Sequence, residues 1–177
     1  MSQLDLNLIR EAIEKAEWKS YNINWVKPIE QRLFTHYKGE RIMLQKFLPC
    51  EQKEVYYHNH PWEHIVLITK GKVMQGISTS YVEKDYDKEI DVDTAQDKII
   101  DNEFAYMVFG PGTELCIHSP KCWHYFYPMN DEPVYSIMLT GEMWNKGPKA
   151  KGVISELSDD EKYDIFSNIK QYLENVE

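Results

Sequence analysis

The chain has 177 residues, of which 42% are hydrophobic and 13% aromatic. This length predicts one principal domain, and this composition can form a packed core, which excludes a mostly disordered chain. The 20 basic and 29 acidic residues give a net charge of −9, so no general attraction to nucleic acid or to anionic membranes is expected.

The cysteines and the first residues predict a compartment. The 3 cysteines include no C-x-x-C pair, unlike the even and dense pattern of secreted disulfide proteins. The N-terminal residues lack an apolar signal segment, and no apolar run reaches the roughly 18 residues that cross a bilayer. We therefore expect a soluble, cytoplasmic protein.

Amphipathic helices are predicted at both ends of the chain. Apolar side chains recur at helical spacing within residues 4–18, and a S-x-x-E capping box at Ser158 precedes a second apolar stripe. We expect an N-terminal helix in 1–21, a barrel over 22–148, and a C-terminal helix in 149–177. The last helix is expected to pack on the barrel or on a partner chain.

Short segments rich in β-branched and aromatic residues fill the middle of the chain and alternate with turn residues. Many short strands at this spacing favour an antiparallel sandwich or barrel, so the expected fold class is all-β. The predicted strands are 32–38, 41–48, 54–60, 63–70, 72–82, 104–109, 113–118, 123–128 and 134–140.

An acidic stretch interrupts these strands at residues 83–103. It holds nine acidic and three basic side chains, and acidic residues recur at every second position from Asp85 to Asp93. On an extended chain they would share one face, as a cation site or as a solvated strand or loop. The stretch lacks the glycine of a calcium loop, so the solvated alternative is favoured.

The densest chemical signal is the heptapeptide H-N-H-P-W-E-H, which runs from His58 to His64. His58 and His60 stand two positions apart, so on a strand their imidazoles point to one side and can share a transition-metal ion. A firm site needs a third ligand from elsewhere in the chain. The candidates are His36, His118 and His124, and His124 is favoured because it begins an aromatic strand.

These motifs resemble those of the cupins. The first cupin motif has H-x-H, then three or four intervening residues before a Glu, then six intervening residues before a Gly. This chain has His58-x-His60, then His64 at the Glu position, then Gly71. The second motif, P-x-G-x-x-H, is similar to residues 120–124, which lack the Gly and are one residue short. The match spans about residues 32–140 and implies a cupin-type double-stranded β-helix, or jelly roll.

Within the cupins, a more specific resemblance is to small, often phage-encoded proteins with an H-x-H-P-W motif and a later W-H pair. The predicted ligands include no carboxylate, and in this respect the chain resembles, more distantly, the three-His cysteine dioxygenase branch. The resemblance implies a divalent metal held by His58, His60 and His124, with Fe²⁺ favoured and Zn²⁺, Ni²⁺ or Mn²⁺ as alternatives. It also implies a metal-dependent enzyme that acts on a small molecule, with a non-haem iron dioxygenase as the favoured reaction, and it leaves a homodimer open.

Two rival functions stay open. The same metal site could serve an isomerase or lyase in which the ion acts as a Lewis acid. A cupin could also be a non-enzymatic module that binds ligands or partner proteins.

Further side chains have hypothetical roles at this site. His64 or Glu63 could supply a fourth ligand or orient a ligand imidazole, because Pro61 can disturb the alternation of the strand. Four residues are hypothesised to bind substrate because they flank the ligands or share their strand parity: Arg41, Gln45, Trp62 and Phe126.

Overall fold

The structure is a computed structural model that describes residues 4–56, 58, 60, 62–78, 104–117, 122–143 and 155–176. The acidic stretch 83–103 and the candidate ligand at position 118 lie outside the described residues, so the structure does not test the hypotheses made for them. Among the described residues, no helix is long and apolar enough to cross a membrane.

Helix α1 spans Leu6–Lys15 and helix α2 spans Asp159–Asn175. The strands of the described residues are β1 Lys19–Ile23, β2 Glu30–Tyr37, β3 Glu40–Phe47, β4 Trp62–Lys70, β5 Val73–Ser78, β6 Phe104–Phe109, β7 Glu114–Ile117, β8 His124–Pro128 and β9 Val134–Met143.

The strands form two antiparallel sheets. The larger sheet has the order β1-β2-β3-β9-β4-β7, and the smaller sheet has the order β6-β5-β8. Strands that are distant in sequence, such as β3 and β9, are neighbours in the sheet. The two ends of the barrel segment therefore lie side by side. The expected all-β fold, with a helix at each end, is confirmed.

Alternation along the strands of the larger sheet separates two apolar layers. Ile42 and Leu44 of β3 point outward and join the cluster formed with both helices. Met43, between them, points inward and packs with Val66 and Phe126 of the inner cluster. The sheet is therefore buried on both faces, and its inward face supplies the walls of the barrel.

The helices form where the sequence satisfies their first N–H groups. Asp5 accepts hydrogen bonds from the backbone N–H groups that begin α1, and Ser158 and Glu161 form the predicted capping box of α2. Ile165 and Ile169 of α2 are fully buried against the sheet. The C-terminal helix thus packs on the barrel of its own chain.

Two segments differ from the strand predictions. Strand β1 was not predicted, because its polar sequence K-S-Y-N-I lacks an apolar alternation; it pairs with β2 at an edge of the sheet. The predicted strand 54–60 is wrong as a continuous element. Residues 52–54 form a short 3-10 helix, and Val55 and His58 make only isolated bridges.

Candidate metal centre

Three of the predicted ligands come together inside the barrel. One ring nitrogen from each of His58, His60 and His124 lies within 4.8 Å of the others. The centroid of the His58 ring lies 4.9 Å from that of His60 and 4.8 Å from that of His124. A single ion could reach all three rings. The cluster contains no carboxylate.

The backbone fixes the spacing of two of these residues. The N–H of His58 donates to the carbonyl of His124 over 2.9 Å, and the N–H of His124 donates to the carbonyl of His58 over 2.8 Å. This reciprocal pair is an antiparallel bridge between the segment before β4 and the start of β8. His60 follows two positions after His58, and its ring turns to the same side.

Burial keeps these imidazoles neutral. It lowers the pKa of His58 and holds the pKa values of His60 and His124 well below the ordinary value. The neighbouring imidazoles lower the pKa of His60 and His124 further, since each protonated ring would repel the next. A neutral imidazole is the form that binds a metal, so the site is ready to bind one at neutral pH.

The rings of His58 and His124 each have a polar neighbour at Nδ1. The Nδ1–H of His58 donates to the carbonyl of Tyr56 over 3.2 Å, which leaves Nε2 with the lone pair. Nδ1 of His124 lies 2.7 Å from the side-chain amide of the buried residue Gln75. Nε2 of His124 is buried and has no hydrogen-bond partner among the described residues.

The contact between Gln75 and His124 is compatible with either tautomer. The amide nitrogen donates to Nδ1 when Nε2 carries the proton. After a half-turn of the amide, its oxygen accepts from a protonated Nδ1 and leaves the Nε2 lone pair for an ion. Sequence reasoning missed Gln75. Its signal was a polar residue at an inward position of β5, between the apolar residues Val73 and Ile77.

His64 and Glu63 lie differently with respect to the three-His cluster. The His64 ring is buried and its centroid is 4.2 Å from that of His60 but 6.3 Å from that of His124. Its Nδ1–H donates to the carbonyl of Trp62 over 3.3 Å. Burial, Glu114 and the charge of Glu63 raise the pKa of Cys116, which opposes Ile65 in the sheet. Of the two candidates, His64 is the one beside the cluster.

Aromatic contacts connect two of the hypothetical substrate-binding residues to the histidines, and a third lies in the inner apolar cluster. The Arg41 guanidinium carbon lies 4.6 Å from the centroid of the Trp62 ring, and that ring lies 6.0 Å from the His60 ring. Phe126 belongs to the inner apolar cluster, where its ring is 4.6 Å from that of Phe47. Their roles in binding a substrate stay predictions.

Gln45 belongs to a buried polar network. Its amide nitrogen donates to Glu30 over 2.6 Å, and its amide oxygen accepts a hydrogen bond from Ser136 over 3.1 Å. Arg32 donates two hydrogen bonds to the same Glu30 carboxylate, over 2.6 and 2.7 Å. Both ends of the Gln45 amide are therefore engaged within the protein.

His36 does not join the cluster. Its side chain is exposed, and its ring lies 5.8 Å from that of Phe34 on β2. Of the alternatives to His124 as third ligand, it is the one that the structure describes, and it is placed elsewhere.

Known proteins give fold-level similarity alone. No family model and no curated protein matches the sequence. The iron(II) form of HppE superposes with a TM-score of 0.49 at 6% identity, over 70% of this chain and 56% of that one. Hydroxypropylphosphonic acid epoxidase from S. wedmorenis gives 0.47 at 7% identity, over 69% and 55%. An oxalate oxidase gives 0.38 at 14% identity, over 58% and 41%.

The chain thus spans little more than half the length of the first of these structures. Similarity at this level carries no information on activity or substrate. The function is inferred below from the chain's own residues.

Proposed function

We propose that this protein is a metal-dependent enzyme that acts on a small molecule, and that it is a non-haem iron dioxygenase with a three-His site. His58, His60 and His124 are the proposed ligands of one divalent ion, with Fe²⁺ favoured. The observation that carries the proposal is the cluster of three neutral imidazoles, in which Nε2 of His124 is buried and lacks a hydrogen-bond partner among the described residues.

The donor set fits such an ion. Imidazole nitrogen is a ligand of iron, zinc, nickel and copper, and three rings on one side of an ion leave further positions for exogenous ligands. An iron(II) ion bound there would supply the capacity to bind and reduce O₂ beside a substrate.

The protein's own contribution is to position and enclose the reactants. The His58–His124 bridge holds two ligands at a fixed spacing, and the Gln75 amide orients the His124 ring. Phe126 and Val66 belong to the inner apolar cluster, which is proposed to exclude water from the site. His64 is proposed to orient the neighbouring His60 ring or to add a fourth ligand.

The proposed compartment is the cytoplasm. Cys50, Cys116 and Cys122 are free thiols. Reduced thiols and an iron(II) site are compatible with the same reducing environment.

Replacement of two ligands tests the proposal. We expect the wild-type protein, purified without a polyhistidine tag, to carry nearly stoichiometric iron by mass spectrometry. The His58→Ala/His60→Ala variant is expected to lose it, because one imidazole does not hold an ion firmly. His36→Ala is the matched control, since this exposed histidine lies outside the cluster, and it should retain the metal.

The identity of the metal then decides the reaction class. Iron, together with O₂ consumption in screens of thiols and small acids, would support the dioxygenase. Stoichiometric zinc, nickel or manganese without O₂ consumption would replace it by an isomerase or lyase at the same site. Equal metal content in wild type and double variant, or none in either after reconstitution, would contradict the metal-dependent proposal.

A further inference from the structure

We propose that Arg41, Trp62 and Thr140, which form one corner of the barrel next to the three-His cluster, bind the carboxylate of a small-molecule substrate. The inference rests on the proposed function, because it assigns a substrate class to the same site. It is carried by position, by unsatisfied hydrogen-bond donors and by an uncompensated charge.

The side chain of Trp62 lies between Arg41 and the three-His cluster. Its guanidinium lies over the Trp62 ring, which in turn neighbours the His60 ring. In the sheet, Thr140 of β9 is the register partner both of Arg41 on β3 and of His64 on β4. A molecule with two functional groups a few bonds apart could therefore contact Arg41 and an ion held by the cluster at the same time.

Three polar atoms of this corner are buried and lack a hydrogen-bond partner among the described residues. They are Nε of Arg41, Nε1 of Trp62 and Oγ1 of Thr140. Buried donors without acceptors are unfavourable and uncommon in folded proteins. All three can donate, so a group that offers only acceptors would satisfy them.

The charges of the corner also favour an anion. Arg32, whose charge also acts on Arg41, forms a two-pronged ion pair with Glu30. Arg41 makes no ion pair among the described residues, while burial and the repulsion of Arg32 act against its charge. Three neutral imidazoles would leave both charges of a divalent ion uncompensated as well.

The shape of the guanidinium selects a carboxylate. Because Arg41 lies over an aromatic face, its N–H groups remain at the edge of the guanidinium plane. That planar edge matches the two oxygens of a planar carboxylate, which it binds in a bidentate manner. A tetrahedral phosphate is the competing oxyanion, and the experiment below includes it.

The test is a titration of the ¹⁵N-labelled full chain with sodium propionate, followed through the indole N–H of Trp62 and the Nε–H of Arg41. It is run on metal-free and on Zn²⁺-loaded protein, and repeated with inorganic phosphate. Arg41→Gln removes the guanidinium, and Arg41→Lys keeps the positive charge without its planar set of N–H donors. Lys72→Gln, which removes a cation from an exposed turn, is the matched control.

We expect propionate to shift both resonances in wild type and Lys72→Gln with similar Kd. Arg41→Gln should raise Kd at least about tenfold, and Arg41→Lys should lie between them. Equal Kd in wild type and Arg41→Gln, or no binding by wild type, would overturn the proposal. Tighter binding of phosphate would overturn the assignment to carboxylates.

The two metal states separate this inference from the proposed function. If propionate binding depends on Arg41 in a protein that takes up no metal, the carboxylate site is supported and the proposed metal enzyme is contradicted. Stoichiometric Zn²⁺ uptake through the three histidines without propionate binding would do the reverse.

Discussion

At the scale of single residues, the side chain that most directly controls a candidate ligand is Gln75. Its amide lies 2.7 Å from Nδ1 of His124 and is buried with it. Partners of this kind orient a ligand ring and fix its tautomer, and their loss typically lowers metal affinity about 10–100-fold.

We therefore expect Gln75→Leu to weaken Zn²⁺ binding by about 10–100-fold in a competition titration with a chelator. The leucine cannot accept from a protonated Nδ1, so His124 would present Nε2 less often as a lone pair. Gln75→Glu keeps an acceptor at this position and should retain most of the affinity. Equal affinity of Gln75→Leu and wild type would show that Gln75 is a packing residue.

The histidine cluster also makes stability depend on pH. The pKa of His60 is held well below its ordinary value by burial and by its neighbouring imidazoles, so the folded protein stays uncharged there while the unfolded chain takes up a proton. The free energy of unfolding of the metal-free protein should then fall as the pH drops below about 6.5, by about 1.4 kcal/mol per pH unit for each such group.

Urea denaturation in a chelator at pH 7.5 and 5.5 measures this dependence. The His60→Ala variant should lose less stability between the two pH values than wild type does. A His60→Ala variant with the full wild-type loss would place the titrating groups outside the cluster.

At the scale of elements, strands β5 and β8 meet through a glycine under an aromatic ring. Gly76 is the register partner of Tyr125, and a Cβ atom added to it would lie 2.4 Å from Cε1 of that buried ring. The pairing places β8, which begins at His124, against the middle of the smaller sheet.

Gly76→Ala should destabilise the protein by about 1–3 kcal/mol in chemical denaturation, because the ring or the strand must shift. Gly110→Ala is the matched control, since a Cβ atom there has no neighbour within 4 Å. In a Tyr125→Leu background the effect of Gly76→Ala should shrink. Additive effects of the two substitutions would contradict a direct clash.

The sequence predicted the elements that have an apolar period and missed those without one. Strands such as β3 and β9 alternate or run apolar between turn residues, and the capping box at Ser158 marks the start of α2. Strand β1 has no such period, and its pairing with β2 depends on tertiary structure. The H-x-H spacing predicted that the imidazoles of His58 and His60 lie on one side of the chain, and their ring centroids are 4.9 Å apart.

The polar neighbours of the cluster could not be predicted in the same way. Gln75 and His124 are 49 positions apart, and their contact exists only after β5 pairs with β8. The network of Glu30, Arg32 and Gln45 likewise depends on the register between β2 and β3. Such contacts depend on how the strands are arranged. A single sequence indicates that arrangement only through the residue types at inward positions.

At the scale of the whole molecule, the larger sheet separates a structural layer from the candidate site. Its outer face packs against α1 and α2, where Ile165 and Ile169 are fully buried. Lys46 and Tyr135 also contact Asp164 of α2, over 2.6 and 2.8 Å. The histidine cluster lies on the opposite side of the sheet.

Ile169→Ala should therefore lower the free energy of unfolding by about 2–5 kcal/mol through the cavity that it leaves. The metal content per folded molecule should be unchanged, because the substitution lies in the outer layer. Tyr163→Ala on the same helix is the control, since that side chain is 73% exposed. Loss of metal in folded Ile169→Ala protein would show that the two layers are coupled.

The reciprocal backbone bridge between His58 and His124 has a consequence for the order of assembly. Because main-chain hydrogen bonds set the spacing of two proposed ligands, the entropy of bringing these distant segments together is spent when the chain folds and not when an ion arrives. We expect the metal-free chain to reach its native barrel first and to load afterwards. Exchange of the ion would then follow brief local openings of this one bridge, at rates far above those of global unfolding.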